Sequence, residues 1–245
     1  MKRFAILVSI LLLVFAPAAL IAQDRVINDS FRNLGEWDPG VGGWQVRNGS
    51  LVQGDPAQKL ARIDRAVPQQ GEIEIAFDVR YEGGGIADER AREYHGGFGI
   101  HLGVEGEPED VSWGAGDSYL LWLNLDTRRD TRVNRSEHLG IRAQVYRSET
   151  DSLMNLTPLN IDIQEELANI GVQFNVDSLT PYLQDEVRMR IRVNYDTGEI
   201  MVNDPSAPST WFTFTLEPDV LEGRYISLRS NSLSLSFNDF SVTRL

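Results

Sequence analysis

The sequence contains no cysteine, and arginine supplies nearly all of its 23 basic residues because Lys2 and Lys59 are the only lysines. Without cysteine there is no disulfide framework, so the core has to hold the fold without covalent cross-links. Three scattered histidines and no cysteine give no zinc pattern. The sequence also lacks a glycine-rich phosphate loop and a nucleophile elbow, which argues against P-loop NTPases and α/β-hydrolases.

Positive charge is scarce relative to negative charge, and the formal net charge is −13 at pH 7. An acidic chain without a clustered basic stripe repels a phosphate backbone. We therefore expect no nucleic-acid partner.

Long apolar runs are absent except at the N-terminus. Lys2 and Arg3 precede a short apolar run from Phe4 to Phe15, and small residues follow from Pro17 to Ala22. This order is typical of a secretory signal peptide, and the run is shorter than the roughly 20 residues that a transmembrane helix needs. We predict cleavage after residue 22, a single domain over residues 23–245, no membrane association of the mature chain, and a periplasmic or extracellular location.

The chain after residue 22 consists mostly of short alternating segments separated by Gly, Asn, Asp and Pro. This pattern predicts an all-β sandwich of roughly twelve to fourteen antiparallel strands. Asn48-Gly49 between two short strand candidates is a strong hairpin signal. The insertion at residues 148–186 interrupts the alternation, and Asp162, Glu165 and Gly171 fit the start and end of one short helix there.

Three neighbouring strand candidates, Gly96–Val104, Ser118–Asp126 and Gly140–Arg147, carry the candidate site. Read at period 2, each has one apolar face and one face that is polar, aromatic or glycine-rich. If they lie side by side, the second faces form a floor suited to ligand binding, and the loop at residues 105–116 opens next to it. The predicted ligand-binding residues are His101, Trp113, Trp122, Asn124, Asp126, Arg142, Gln144 and Tyr146.

Sugar recognition needs an aromatic plane against the C–H face of a pyranose, and planar polar groups for its hydroxyls. Trp122 and Tyr146 are the stacking candidates, with Trp113 possible from the loop, while Gly97, Gly99 and Gly103 would keep the floor low. The alternative is that Trp122 is covered and the face forms a second layer of core.

Four segments, in order, resemble secreted members of the concanavalin A-like lectin and glucanase superfamily, including its group related to laminarinases and keto-disaccharide hydrolases. The segments are Val26–Val52 (with Phe31, Trp37, Trp44 and Asn48-Gly49), Glu72–Arg80 followed by His95-Gly-Gly-Phe-Gly-Ile, Tyr119–Asp126, and Gly223–Arg229 followed by Leu235–Val242. The resemblance implies a jelly-roll sandwich of two curved antiparallel sheets. That architecture hosts lectins, hydrolases and plain scaffolds.

A hydrolase of this fold needs two carboxylates that flank the glycosidic bond. The string Glu72–Asp78 is the nearest match to the E-x-D-x-x-E motif of family 16 glucanases, but it lacks the last carboxylate and comes too early in the chain. Asp126 with His101 is the other candidate acid–base pair. We predict no cofactor. Calcium is the alternative, with oxygen ligands available from Glu105, Glu107, Glu109 and Asp110 in no recognised loop spacing.

The sequence thus favours an exported, non-catalytic, lectin-like domain that binds a glycan or cell-envelope polysaccharide on its concave sheet. A structural or assembly subunit of the periplasm or cell surface, with protein partners, is the first alternative. A glycoside hydrolase acting on a disaccharide or β-glucan is the second.

Overall fold

The computed structural model describes residues 24–84, 96–106, 112–126, 140–162, 185–205 and 207–245. The predicted signal peptide and the predicted helix, apart from Asp162, lie outside these ranges. Fifteen strands are present within these ranges. The first eight are β1 (Arg25–Asp29), β2 (Trp37–Val41), β3 (Trp44–Arg47), β4 (Ser50–Gln53), β5 (Ala61–Ala66), β6 (Glu72–Gly84), β7 (Gly97–Val104) and β8 (Ser118–Asp126). The others are β9 (Gly140–Ser148), β10 (Met154–Asp162), β11 (Val187–Asn194), β12 (Glu199–Asn203), β13 (Trp211–Thr215), β14 (Tyr225–Asn231) and β15 (Leu233–Arg244).

The strands form two antiparallel sheets, as predicted. Sheet A has eight strands in the order β13-β12-β11-β6-β15-β4-β3, and β1 also pairs with β15. Sheet B has seven strands in the order β10-β9-β8-β7-β14-β5-β2. In the part of the chain that the structure describes, the one helical segment is a 3-10 turn at Pro218–Leu221, and no helix is long and apolar enough to cross a bilayer.

Apolar side chains from alternate positions of both sheets meet in one buried cluster. Ile75 and Phe237 of sheet A and Ile100, Leu121 and Leu228 of sheet B are members of it. Period-2 alternation places these residues on the inner faces and leaves the opposite faces for polar side chains. The face of sheet B that points away from this cluster is the predicted ligand face, and we call it the outer face of sheet B.

The predicted hairpin is present between β3 and β4. Asn48 and Gly49 have φ angles of 52° and 82°, and Arg47 pairs with Ser50. Two consecutive positive φ values match the twist of a two-residue hairpin, and Asn-Gly adopts them at little cost.

Two strands, β2 and β10, were not predicted. β2 contains Pro39 and Gly40. β10 lies within the insertion at residues 148–186, where we expected no strand. Both lie at the edges of sheet B, where one side of the backbone needs no partner strand and proline is tolerated. The pairing of β10 with β9 shifts register between Leu156 and Asn160, around Pro158.

Candidate functional site

The three strands of the predicted site are hydrogen-bonded neighbours in the order β7-β8-β9. Trp122 lies between Gly99 on one side and Gln144 on the other. Gly97 pairs with Asn124, and Asn124 pairs with Arg142. The predicted adjacency of these strands, and the sharing of one face by their polar residues, are therefore confirmed.

The outer face of sheet B is not open at Trp122, whose side chain is 4% exposed. A Cβ atom added to Gly97 would lie 2.7 Å from the Trp122 ring, and one added to Gly99 would lie 3.0 Å from it. The indole therefore lies across the two glycines of the neighbouring strand. The expectation that the glycine strip leaves a groove for a ligand is wrong at these positions, because the chain's own tryptophan fills the space.

The described part of the loop between β7 and β8 covers this tryptophan. The ring of Trp113 meets the ring of Trp122 edge to face, with centroids 5.3 Å apart and planes at 86°. Trp113 itself is partly exposed. An edge-to-face pair of indoles is a favourable aromatic geometry, so this contact fixes the position of Trp113 at the surface above a buried support.

His101 is fully buried on the same face. Its Nδ1 atom is 3.3 Å from Nη1 of Arg229, and its Nε2 atom is 2.9 Å from Oγ of Ser118. A guanidinium only donates hydrogen bonds, so Nδ1 accepts and the proton of the neutral ring sits on Nε2. The Ser118 hydroxyl then accepts a hydrogen bond from this N–H group and donates one to the carbonyl of Ala115 at 2.9 Å.

Burial lowers the pKa of His101 well below its usual value, and the nearby charges of Arg229 and Arg62 lower it further. The imidazole is therefore neutral at pH 7, but the lone pair that a general base would use is occupied by Arg229. The hypothesis of an Asp126–His101 acid–base pair thus lacks an available base. The side chain of Asp126 lies outside the described residues.

The remaining predicted residues divide by exposure. Asn124 and Gln144 are buried, whereas Arg142 and Tyr146 are partly exposed. Tyr146 donates its hydroxyl to Oε1 of Gln144 at 3.0 Å, so a buried amide holds the phenol. Of the predicted ligand-binding set, Trp113, Arg142 and Tyr146 therefore keep an exposed portion on this face.

Sequence reasoning did not include Arg62, Asp64, Ser118, Ser227 and Arg229 in the site. All five are buried on β5, β8 and β14. Arg62 donates from Nη2 to the carbonyl of Gly106 at 3.0 Å.

Arg229 makes the matching contacts at the other end of the loop. It donates from Nη2 to the carbonyl of Ser112 at 2.6 Å and from Nη1 to that of Trp113 at 3.2 Å. The two arginines thus hold both described ends of the loop against sheet B. The alternation of polar and apolar residues along β5 and β14 does place these polar side chains on one face. It does not indicate that this face is buried.

The carboxylates of the glucanase-like string lie on β6 in sheet A, away from the outer face of sheet B. Glu74 accepts from Arg190 and Arg192, each at 2.9 Å, and Asp78 lies 3.2 Å from Arg188. Burial opposes ionisation of Glu74, but the hydrogen bonds from Arg190 and Arg192 lower its pKa below the usual value. These contacts form an ion ladder across β6 and β11 and leave Glu74 unsuited to act as a general acid.

No group of three or more His, Asp or Glu side chains among the described residues is placed to hold a metal ion. Of the calcium candidates, Glu105 is exposed at the end of β7, whereas Glu107, Glu109 and Asp110 lie outside the described ranges.

No protein-family model matches the sequence, and no curated protein matches it. Solved structures do resemble the fold. The CBM2 module of the evolved Dit protein of Lactobacillus casei BL23 phage J-1 has a TM-score of 0.53 and 10% identity, over 91% of this chain and 97% of that one. Lectin II from Ulex europaeus has a TM-score of 0.52 and 9% identity, over 90% and 99%.

The exoplasmic/lumenal domain of VIP36, in a form bound to Ca²⁺ and mannose, has a TM-score of 0.52 and 11% identity, over 86% of this chain and 83% of that one. At these identities the likeness concerns the fold alone. It confirms the predicted concanavalin A-like jelly-roll sandwich.

Proposed function

We propose that this chain is an exported carbohydrate-binding domain that carries out no chemistry on its ligand. The fold is one that lectins and carbohydrate-binding modules use, and the similar structures include a lectin from Bauhinia forficata in complex with GalNAc, with a TM-score of 0.50 and 8% identity, over 91% of this chain and 99% of that one. One fold hosts many functions, so the proposal depends on the residues of the site as well as on the fold.

One observation carries the proposal. Two partly exposed aromatic rings, Trp113 and Tyr146, stand on the outer face of sheet B, where Trp122 and Gln144 support them from below. Rings held by buried partners lose little conformational entropy when a ligand stacks on them. Arg142, a partly exposed residue on the same face of β9, adds a guanidinium group that is a planar donor for sugar hydroxyls. The ligand-contacting set is therefore Trp113, Arg142 and Tyr146, supported by Trp122 and Gln144.

The partner class is a neutral or weakly charged glycan of the cell envelope or its surroundings. The N-terminal segment that resembles a signal peptide supports export to the periplasm or the cell exterior. The net charge of −13 disfavours polyanionic ligands such as nucleic acids.

A glycan array with the mature chain tests the proposal. We expect binding to at least one glycan, and a loss of affinity of about 5- to 160-fold for both Trp113→Ala and Tyr146→Ala, if a stacked sugar contributes about the 1–3 kcal/mol per ring that a stacked nucleobase does. Trp211→Ala is the matched control, since this partly exposed tryptophan lies on sheet A. Thermal unfolding of each variant shows that its fold is retained. Binding that survives both substitutions discards this site.

An assembly subunit is the alternative from another class, and one observation favours it. Phe212 on the edge strand β13 is an exposed large apolar residue. An exposed edge strand with an apolar side chain is a surface for pairing with another chain. A blank array together with co-purification of a larger assembly that Phe212→Ser disrupts would select this function over carbohydrate binding.

A further inference from the structure

Five polar side chains form a buried cluster on the outer face of sheet B, beside the aromatic pair described above. Arg62 and Asp64 come from β5, Ser227 and Arg229 from β14, and His101 from β7, and we call them the arginine cluster. Ser227 pairs with Asp64 on one side and His101 on the other, and Arg229 pairs with Arg62. All five residues are at most 2% exposed.

The formal charges of the arginine cluster do not cancel. Arg62 pairs with Asp64, with 2.7 Å between Nε and Oδ1, and His101 is neutral. Within the described ranges no carboxylate accepts a hydrogen bond from Arg229, whose hydrogen bonds go to His101 and to the carbonyls of Trp113 and Ser112. Burial, followed by the charge of Arg62, lowers the pKa of Arg229 to about 9, so it still carries its charge at pH 7. One positive charge is therefore left in a site without solvent, where an unbalanced charge is costly.

Hydrogen-bond donors are also left over in the arginine cluster. Nη1 of Arg62, Nε of Arg229 and the hydroxyl of Ser227 are buried and have no hydrogen-bond partner in the described part of the chain. These atoms belong to adjacent positions of two paired strands, on the same face. Buried donors are nearly always paired in folded proteins, so the leftover donors indicate an acceptor that the described residues do not supply.

We propose that the arginine cluster binds one small monovalent anion of the halide class. A halide accepts hydrogen bonds and donates none, which matches two guanidinium donors and a hydroxyl, and its single negative charge cancels the excess positive charge. A water molecule would satisfy the donors but leave the charge. The bound anion strengthens the two arginine anchors of the loop between β7 and β8, since Arg62 and Arg229 hold the carbonyls of Gly106, Ser112 and Trp113.

Crystals of the mature chain grown in sodium bromide test the site directly. We expect an anomalous bromide peak within hydrogen-bonding distance of Arg62 Nη1 and Ser227 Oγ. A peak confined to exposed arginines, or a water molecule in place of bromide, overturns the proposal.

The second test measures whether anion binding raises the thermal stability of the protein. Thermal unfolding is measured while sodium chloride replaces sodium gluconate at constant ionic strength, since the gluconate ion is too large for a buried halide site. We expect Tm to rise by about 3–6 °C when chloride reaches ten times its Kd. Equal Tm values in the two salts overturn the proposal.

Variants separate this effect from salt effects on the surface. Arg62→Lys removes Nη1 and should abolish the chloride dependence. Ser227→Ala removes one hydroxyl and should weaken chloride binding by about 12- to 160-fold, the range for one hydrogen bond to a charged group. Ser227→Ala still tests the site if the Arg62→Lys protein does not fold. Arg188→Lys, at a partly exposed ion pair on sheet A, is the control and should keep the full chloride response. A full response in both Arg62→Lys and Ser227→Ala contradicts the site.

Discussion

Gly97 and Gly99 have a structural task, because their missing side chains make room for the indole of Trp122. Any Cβ at Gly97 would also meet the carbonyl oxygen of Leu123, which belongs to the backbone and cannot move aside. A side chain at Gly97 would therefore destabilise the packing of β7 against β8.

Gly97→Ala should lower the free energy of unfolding by about 1–3 kcal/mol, the usual range for overpacked sites. Gly43→Ala is the matched control, because a Cβ there meets no atom within 4 Å. Urea unfolding of both variants measures the effect. Equal stabilities for the two variants would show that the indole does not lie on the glycines.

His101 should make stability depend on pH near neutrality. Its folded-state pKa is lowered by burial and by Arg229 and Arg62, so the unfolded chain binds a proton that the folded chain excludes. Stability is then complete above the unfolded pKa of about 6.5 and falls as the pH drops below it, with a slope of at most about 1.4 kcal/mol per pH unit for this one proton.

The variant His101→Gln tests this assignment, because glutamine keeps a polar group but does not titrate. Urea unfolding at pH 7.5, 6.5 and 5.5 should show a flatter pH dependence than in the wild type. The comparison uses slopes and not absolute stabilities, since the substitution itself perturbs the packing. An unchanged slope would mean that His101 is protonated equally in both states.

At the scale of the strand, β6 and β11 are joined by a ladder of charged side chains on the outer face of sheet A. Arg192 is directly opposite Glu74, and Arg190 reaches the same carboxylate, each at 2.9 Å. Trp211 of the more distant strand β13 lies under both guanidiniums, 5.0 Å from Arg190 and 4.4 Å from Arg192. One carboxylate and one indole thus hold two arginines across four strands of the sheet.

Glu74→Gln should lower the free energy of unfolding by about 0.5–1 kcal/mol at low salt, the range for partly exposed ion pairs. The lowered pKa of Glu74 means that this contribution is complete above the unfolded value of 4.5 and is lost as the pH falls through the lower folded value. Denaturant titrations at pH 7 and pH 3 measure both effects, with Glu72→Gln at an exposed position of the same strand as the control. A Glu74→Gln effect that is as large at pH 3 as at pH 7 would contradict the ion pair.

The strands that sequence patterns identified are those with clean alternation. The predicted bounds of β8, Ser118–Asp126, agree with the structure. The alternation also predicts strands over Glu72–Glu82 and Val187–Tyr195, and β6 and β11 differ from these by only two residues and one residue. β2 and β10 were not predicted, because Pro39, Gly40 and Pro158 reduce their intrinsic preference for strands. Their backbones become strands through pairing with β5 and β9, a non-local interaction that no local window contains.

At the scale of the whole molecule, two antiparallel sheets enclose the apolar core. A second, polar layer is buried under the described ends of the loop between β7 and β8.

Cleavage of the predicted signal peptide is a separate prediction. Mass spectrometry of the exported protein should show a mature N-terminus at Gln23, because the small-residue segment ends at Ala22. An intact N-terminus at Met1 in the exported fraction would contradict cleavage.

Sequence alone determined the all-β class, the hairpin at Asn48-Gly49 and which side chains share each face, because turn signals and period-2 alternation depend only on local order along the chain. The tertiary structure alone decided which polar face is exposed. Trp122, His101, Asn124 and Gln144 alternate with apolar residues as solvent-facing residues do, but all four are buried. The described ends of a loop held by Arg62 and Arg229 lie over His101 and Trp122. Contacts between residues more than a hundred positions apart leave no mark on a local pattern, so burial there follows only from the folded chain.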